Sequence, residues 1–314
     1  MITLVGKSSK IIELPGVDAM PTRLAGTIFV ESASKPELHR LADHYGLDYG
    51  NLCDALDLNE SPRLERRDNF DYLYFRVPNL HNVHDVTQAT QPVLAVYNSH
   101  VLIIISGNKF LPLITSDTMA TDIADTTSTI ATLMYILEKV TTSFENRIKI
   151  QTDAIRGTVV KMQNHKLGNE HFVDFIMLED HINNFISALS PLIPLLNRLQ
   201  TDRNLHLSIA TADKLVDVIL AIQQLVNTCT ANAQRIASIR DAYTTLSNDS
   251  LNRVMKTLTI ATLLIAAPNL VFSMYGMNIS LPMQYTDISF LLVMALALIV
   301  VVLFIIWGKK RHLF

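Results

Sequence analysis

The chain has 314 residues, of which 49 % are hydrophobic and 18 % charged, and its formal net charge is −3. This balance gives no basic field for nucleic acid, so we expect no nucleic-acid partner. Cys53 and Cys229 lie far apart, which suits a reducing cytosol better than a disulfide framework. The N-terminus lacks the basic start and apolar core of a signal peptide. We therefore expect the residues before the apolar C-terminal region to stay in the cytoplasm.

Residues 1–125 are predicted to form a cytoplasmic domain that mixes strands and helices. Asn98-Ser99 is interpreted as a two-residue hairpin turn between the last two predicted strands, and residues 35–57 have helical spacing with loop breaks. The soluble part is accordingly assigned to the α+β class. The runs that are typical of strands cover residues 26–31, 70–77, 91–97 and 100–106.

From residue 126 onwards the pattern becomes helical. Residues 126–204 repeat apolar residues at spacings of three and four, which predicts a helical hairpin region. No Gly or Pro occurs from Leu195 to Ala267, although residues 200–206 form a candidate turn. A periodic helix of this length is typical of a coiled coil or of a stalk that enters a membrane. We therefore expect a stalk helix over residues 205–254.

Two stretches near the C-terminus, residues 258–277 and 288–308, carry no charged residue. Each has about the 20 residues that a helix needs to cross a hydrocarbon core of about 30 Å. A pair of buried core helices is the alternative, but two such stretches in tandem favour transmembrane helices. We assign residues 255–277 to the first transmembrane helix, 278–287 to an external loop and 288–308 to the second.

The basic residues around these spans predict their orientation. Arg253 and Lys256 precede the first span, and residues 279–287 contain no Lys or Arg. The tail, residues 309–314, begins with Lys309, Lys310 and Arg311. The positive-inside rule then places both termini in the cytoplasm. We expect a multi-pass protein of the plasma or inner membrane, in contact with lipid.

The first span has one face of mostly polar or small residues. A small-residue face for helix–helix packing is one interpretation. The mid-span amide of Asn269 weighs against it, because such a group usually faces a bundle interior or a cavity. Two helices cannot enclose a pore, so a pore would require a symmetric oligomer. The face consists of Asn252, Met255, Thr259, Thr262, Ala266, Asn269 and Ser273.

The stretch SMYGMNIS, residues 273–280, ends the first span. Its tripeptide Gly276-Met277-Asn278, followed by a short loop and one final span, closely resembles the CorA family of divalent-cation transporters. The long helix without Gly or Pro, the segment LNRVMKTLTIAT at 251–262 and the basic tail agree with that resemblance. It implies a homopentameric funnel that takes up Mg²⁺ passively, driven by the membrane potential.

The resemblance also implies roles for particular residues. Gly276, Met277 and Asn278 would form the pore mouth, where Gly276 would let the backbone turn so that carbonyl groups face the axis. Asp54 and Asp217 would hold regulatory Mg²⁺ between neighbouring subunits, so that intracellular divalent cations gate the pore. Lys309, Lys310 and Arg311 would form a basic ring, although plain topology determinants are an equally good interpretation. The pore-lining positions would be Asn252, Met255, Leu258, Thr262, Ala266, Asn269 and Ser273.

Some positions depart from the family pattern. The loop after Asn278 has one carboxylate, Asp287, where an acidic stretch is common. Ala266 replaces a bulky gate residue, so the constriction would rest on Met255 and Leu258. The alternatives are a transporter of Zn²⁺, Co²⁺ or Ni²⁺ and a membrane-tethered oligomeric sensor. No phosphate-binding loop or catalytic spacing occurs, so we expect neither an enzyme nor an organic cofactor.

Overall fold

The structure is a computed structural model of one chain. The chain divides into two compact units, Met1–Ser238 and Ile239–Phe314. Residues 279–287 of the predicted external loop, and Arg311 with the rest of the tail, lie outside the described residues. Those described are 2–6, 11–14, 16–17, 26–67, 69–79, 89–114, 122–123, 126, 128–163, 170–202, 205, 207–278 and 288–310.

One seven-stranded sheet organises the first unit, in the order β2-β1-β3-β7-β6-β5-β4. Strands β3 and β7 pair in parallel, and the other neighbours pair antiparallel. The four predicted strands are confirmed as β3, β5, β6 and β7. The strands are β1 (Ile2–Gly6), β2 (Ile11–Leu14), β3 (Gly26–Val30), β4 (Arg63–Arg67), β5 (Phe70–Pro78), β6 (Thr90–Tyr97) and β7 (Val101–Ser106).

Three strands were not predicted, and each lies toward a sheet edge. Strand β4 has the sequence RLERR, whose charged residues hide the strand pattern. Charged side chains are common on edge strands because they discourage pairing with another chain. The strands β1 and β2 have only five and four residues, which is too short for a clear alternation.

The predicted hairpin turn is displaced by one residue. Tyr97 pairs with Leu102, and the Asn98 N–H donates to the Val101 carbonyl at 3.1 Å, so Ser99 and His100 form the turn. The Asn98 side-chain oxygen accepts hydrogen bonds from the backbone N–H groups of His100 and Val101. Asn98 therefore initiates the turn with its side chain instead of occupying the turn itself.

The helices of the first unit agree with the helical spacing of the sequence. Residues 35–57 form two helices, of which α1 begins with a Ser34–Glu37 capping box and ends at Gly46 with φ 68°. The left-handed conformation of Gly46 explains why a glycine stands there. The helices are α1 (Lys35–Tyr45), α2 (Tyr49–Asp54), α3 (Leu111–Ile114), α4 (Thr129–Gln163), α5 (Glu170–Leu189) and α6 (Leu192–Thr201).

The core of the first unit lies on both faces of the sheet. Leu38 and Leu52 of α1 and α2 belong to one cluster with alternate strand residues such as Ile28 and Tyr74. The long helices α4 and α5 pack on β5 and β6. Because both faces are covered, β6 and β7 are buried along their whole length, which explains their continuous apolar sequence.

Two further helices include the predicted spans. Helix α7 (Ile209–Tyr275) contains residues 209–254 of the predicted stalk and most of the first span, with Pro268 inside it. Helix α8 (Ser289–Lys310) contains the second span. Both helices are long and apolar enough to cross a membrane by length and composition.

Candidate functional site

The Gly276-Met277-Asn278 tripeptide lies directly after the end of α7. The Gly276 N–H donates to the Phe272 carbonyl at 3.0 Å, and the Met277 N–H donates to the Met274 carbonyl at 3.4 Å. A Cβ atom on Gly276 would lie 3.4 Å from the Phe272 oxygen, and φ at this residue is not left-handed. The helix therefore ends at Gly276 without a left-handed residue, and the role of Gly276 in turning carbonyl groups toward an axis stays a prediction.

Burial divides the membrane part of α7 into two faces. Between residues 252 and 278, reduced exposure is confined to one stripe with helical spacing, and Val271 at its centre is 7 % exposed. We infer that this stripe packs against α8, since α8 is the other helix described in this unit. The stripe, called the packed face below, consists of Ile260, Leu264, Ala267, Pro268, Val271 and Tyr275.

The predicted pore-lining residues lie on the other side of α7. Each of them is exposed in the single chain. At about 100° per residue, they point about 180° away from the packed face. This exposed polar face, as it is called below, consists of Asn252, Met255, Leu258, Thr262, Ala266, Asn269 and Ser273.

The hydroxyl groups near the start of the span are hydrogen-bonded within the helix. Thr262 Oγ1 donates to the Leu258 carbonyl at 2.8 Å, and Thr259 Oγ1 donates to the Met255 carbonyl at 2.9 Å. A hydroxyl that donates its proton to the backbone keeps its lone pairs as acceptors. Thr262 therefore presents an acceptor oxygen on the exposed polar face.

Helix α8 has a matching packed stripe and an apolar surface everywhere else. Ala297 and Gly308 are its buried positions, and small residues of this kind allow close helix–helix approach. Phe290, at 74 % exposure, illustrates the remaining surface, which is apolar up to Trp307. Lys309 and Lys310 are exposed in the last turn, where positive charge also suits the helix dipole.

The two predicted regulatory carboxylates lie in different parts of the first unit. Asp54 ends α2, between the exposed apolar residues Tyr49 and Leu58. Asp217 is exposed on α7, between the exposed Val216 and Leu220. Among the described residues, no three His, Cys, Asp or Glu side chains within one chain form a group that could hold a metal ion.

The sequence interpretation missed the partner of Asp54, which is Arg63 on β4. Arg63 Nη2 donates to Asp54 Oδ2 at 2.7 Å, Arg63 Nε donates to Glu65 at 2.8 Å, and Nη1 contacts Glu60. The guanidinium also stacks 3.9 Å from the centre of the Tyr74 ring. The only signal in the sequence was the spacing of Arg63 and Glu65, which share one face of a strand.

The electrostatics of this cluster keep Arg63 charged. Burial acts to lower the pKa of Arg63, but hydrogen bonds to Glu60, Glu65 and Asp54 outweigh it and raise that pKa above its ordinary value. Burial also raises the pKa of the Tyr74 phenol, so Tyr74 is a neutral ring beneath the guanidinium. The cluster is therefore a permanent cation surrounded by three carboxylates.

Known proteins are similar to this chain in sequence and architecture. Residues 28–310 match the family model of the CorA-like Mg²⁺ transporter protein. The chain is 24 % identical over 320 residues to the cobalt/magnesium transport protein CorA of Methanocaldococcus jannaschii, and the alignment covers 97 % of either protein.

Solved structures give the same architecture. The complete CorA magnesium transporter from Methanocaldococcus jannaschii matches with a TM-score of 0.83 at 20 % identity, covering 99 % of this chain and 98 % of that one. Full-length CmaX matches with a TM-score of 0.72 at 13 % identity, over 99 % and 96 % of the two chains. The cytoplasmic domain of ZntB from Vibrio parahaemolyticus matches with 0.63 at 10 % identity, over 79 % and 98 %.

An α+β domain, a long helix and two C-terminal apolar helices together confirm the predicted fold class. The family match makes the chain a membrane protein of the transporter class. The chain belongs to the family of CorA-like Mg²⁺ transporter proteins, as the sequence predicted.

Proposed function

We propose that the chain is one subunit of a homopentameric channel for passive Mg²⁺ uptake, gated by divalent cations on the cytoplasmic side. The observation that carries this proposal is the exposed polar face of α7, opposite the face that packs on α8. A polar helix face in a hydrocarbon layer requires a partner or water. In a ring of α7 helices around an axis, with α8 outside, the polar face of every copy would meet both neighbouring helices and the water of a central pore.

The exposed polar face has the chemistry that a hydrated Mg²⁺ ion requires. Mg²⁺ loses its waters reluctantly, so oxygen atoms that accept hydrogen bonds from those waters can guide it. Asn252, Asn269 and Ser273 would supply such oxygens, together with the acceptor oxygen of Thr262. Neutral ligands bind the ion weakly enough for it to leave, as conduction needs.

The two ends of the pathway would have different roles. Gly276, Met277 and Asn278 follow the end of α7 and would form the outer mouth, where Asn278 offers its amide oxygen. Met255 and Leu258 are exposed apolar side chains that would narrow the inner part of the pore. Lys309, Lys310 and Arg311 would lie on the cytoplasmic side, either as a basic ring or as topology determinants.

The driving force is the membrane potential. Two charges that move through 100 mV change the free energy by about 4.6 kcal/mol, since one charge corresponds to about 2.3 kcal/mol. An orientation with both termini in the cytoplasm, in a plasma or inner membrane, makes this force inward for a cation. The proposal therefore needs no coupled reaction and no organic cofactor.

Gating would use an interface between neighbouring copies. Asp54 and Asp217 are both flanked by exposed apolar side chains, which is typical of a surface that a partner covers. Different patches that meet head to tail generate a closed ring. Two carboxylates at such an interface repel each other, and a bound Mg²⁺ ion removes the repulsion. Loss of intracellular Mg²⁺ would then favour the open state.

The cation itself is inferred from the relatives. The similar protein of Methanocaldococcus jannaschii is named as a transporter of cobalt and magnesium, which supports Mg²⁺ with Co²⁺ as a second substrate. Zn²⁺ and Ni²⁺ are the alternatives within the same class.

The test is Mg²⁺ entry into liposomes that contain the purified protein and an internal Mg²⁺ dye. We expect entry in the wild type and a loss of at least about tenfold in Asn278→Ala, because the mouth would lose its amide oxygens. Met274→Ala, an exposed position off the polar face, is the matched control and should change entry by less than about twofold. Entry of Zn²⁺ or Ni²⁺ but not of Mg²⁺ would identify that ion as the substrate in place of Mg²⁺. Entry of no divalent cation would favour the membrane-tethered sensor.

A further inference from the structure

The Asp54 carboxylate already has a cation bound to it within its own chain. Arg63 Nη2 lies 2.7 Å from Asp54 Oδ2, and the Asp54 side chain is 44 % exposed. The other two partners of Arg63 differ in exposure: Glu60 is 13 % exposed and Glu65 is 35 % exposed. Asp54 is therefore the partner that solvent or a second cation can reach most easily.

Arg63 does not depend on Asp54 for its position. Its Nε and Nη1 atoms contact Glu65 and Glu60, and its guanidinium rests on the Tyr74 ring. If the Asp54 side chain turned away, these three contacts would remain. The ion pair between Arg63 and Asp54 can therefore break without rearrangement of the strand that carries Arg63.

We propose that Arg63 is a resident counter-ion of Asp54, which a divalent cation must displace before it can bind between Asp54 and Asp217 of a neighbouring copy. Arg63 thereby sets the Mg²⁺ concentration at which the cytoplasmic units respond. This inference rests on the proposed gating role of Asp54 and Asp217, and it adds the regulation of that site. It makes Arg63 a positioning residue, since it acts through Asp54.

Removal of Arg63 should strengthen divalent-cation binding at Asp54 in two ways, because it makes the cluster more negative and removes the competing cation. The three carboxylates and the guanidinium carry a formal charge of −2 together. Without Arg63 the charge becomes −3, and the Asp54 carboxylate is unpaired. Both changes strengthen the attraction for a divalent cation. Glu65→Gln should have the opposite effect, because it removes a carboxylate and leaves Arg63 more fully available to Asp54.

The experiment measures the Mg²⁺ concentration that gives half-maximal protection of the full-length protein, in lipid nanodiscs, against proteinase K. Partly exposed ion pairs are weak, so we expect Arg63→Gln to lower this concentration by about 2- to 5-fold. We expect Glu65→Gln to raise the half-maximal Mg²⁺ concentration. The value for Arg63→Lys should lie between those of Arg63→Gln and the wild type. Thermal unfolding followed over the same Mg²⁺ concentrations is the second readout.

The matched control is Arg67→Gln. Arg67 lies on the same strand and pairs with Asp48 at 2.5 Å, so this variant removes the same charge from the same surface without touching Asp54. We expect its half-maximal concentration to stay close to the wild-type value. Equal shifts in Arg63→Gln and Arg67→Gln would overturn the inference, because they would indicate a general charge effect.

Asp217→Asn separates the two proposals. If the wild type shows no protection by Mg²⁺, or Asp217→Asn keeps it, the gating site fails and the inference fails with it. Suppose instead that Asp217→Asn loses protection by Mg²⁺, but Arg63→Gln needs at least as much Mg²⁺ as the wild type for half-maximal protection. Only the role of Arg63 is then overturned. Should Arg63→Gln fail to fold, as judged by circular dichroism, Glu65→Gln decides: a fall or no change in its half-maximal concentration contradicts the inference.

Discussion

The two parts of helix α7 bury their side chains in opposite ways. From Ile209 to Ser238, inside the first unit, the helix buries a stripe that includes Leu215, Ile222 and Ile236. Asn232 Nδ2 donates to Thr152 Oγ1 at 2.7 Å across the contact with α4. This part of α7 has a buried side for the core and an exposed side that is mostly polar.

The second part of α7 runs from Ile239 to Tyr275, and in its apolar span, from Leu258 to Tyr275, the pattern reverses. Large apolar side chains such as Ile265 and Leu270 are exposed, and the polar residues gather on one face away from α8. In water such an apolar surface would promote aggregation, whereas in lipid it is the expected surface. One helix therefore meets two environments, and the placement of its polar residues distinguishes them better than its overall composition does.

Thiol labelling gives the sharpest contrast between the two parts. Burial raises the pKa of the Cys229 thiol to about 12. At pH 8 about one thiol in ten thousand would then be a thiolate, so labelling by a maleimide should be about a thousandfold slower than at an ordinary exposed cysteine. The Cys229 rate should rise about tenfold for each pH unit up to about 12.

The control for this labelling places a cysteine in the second part, as Leu246→Cys in a Cys53→Ser background. Leu246 is exposed, so the introduced cysteine should react quickly at pH 8. Mass spectrometry of the intact chain measures both rates. Rapid labelling of Cys229 in the folded protein would show that the first part of α7 is not packed as described.

Truncation of apolar side chains tests the same contrast energetically. Phe144 is fully buried and meets Phe185 edge to face at 5.5 Å. Phe144→Ala should lower the free energy of unfolding by about 3–5 kcal/mol, because it leaves a cavity. Leu303→Ala, at an exposed position of α8, should lower it by less than about 1 kcal/mol, because detergent replaces the lost contacts.

The measurement is guanidinium-induced unfolding of the full chain in detergent, followed by circular dichroism. Similar losses of stability in the two variants would mean that α8 is buried like a core helix and does not face lipid.

The sequence predicted the elements whose pattern reflects their surroundings. The central strands β5 to β7 and the helices were found because burial on both sheet faces, or on one helix side, leaves a regular apolar pattern. Strand β4 was missed because an edge strand faces water, and its charged residues resemble a loop. The hairpin turn was displaced because Asn98 acts through its side chain, which composition alone does not reveal.

The sequence predicted some residues of the candidate site and missed others. The exposed polar face of α7 could be found, because a helix repeats at a fixed interval and polar residues in an apolar segment stand out. Arg63 could not be found as the partner of Asp54, because their contact depends on how β4 and α2 pack. The role given to Gly276 stays a prediction, since the direction of its carbonyl groups matters only relative to an axis that several copies would form.

Substitution at the centre of the span tests the exposed polar face. Asn269→Leu should reduce Mg²⁺ entry about tenfold, because each copy would replace an amide with an apolar group, and a tenfold loss corresponds to about 1.4 kcal/mol in barrier height. Leu270→Ala is the control at the next residue, which is exposed but off the polar face. It should change entry by less than about twofold. The assay is dye-reported entry into liposomes, and equal effects of both variants would remove the distinction between the two faces.

The smallest expected effect concerns gating and compares two positions on the first part of α7. Asp217→Lys should leave Mg²⁺ entry active at high internal Mg²⁺, raising the internal concentration that halves entry by at least about fivefold. Arg63 is already paired with Asp54, so a lysine brought to that carboxylate would add a second cation and repel a divalent ion. Asp213→Lys makes the same charge change one turn earlier on the same exposed side and should respond like the wild type. If Asp217→Lys closes at the wild-type internal Mg²⁺ concentration, Asp217 has no regulatory role. The proposed pore would be unaffected by that outcome, because its lining residues lie on the second part of α7.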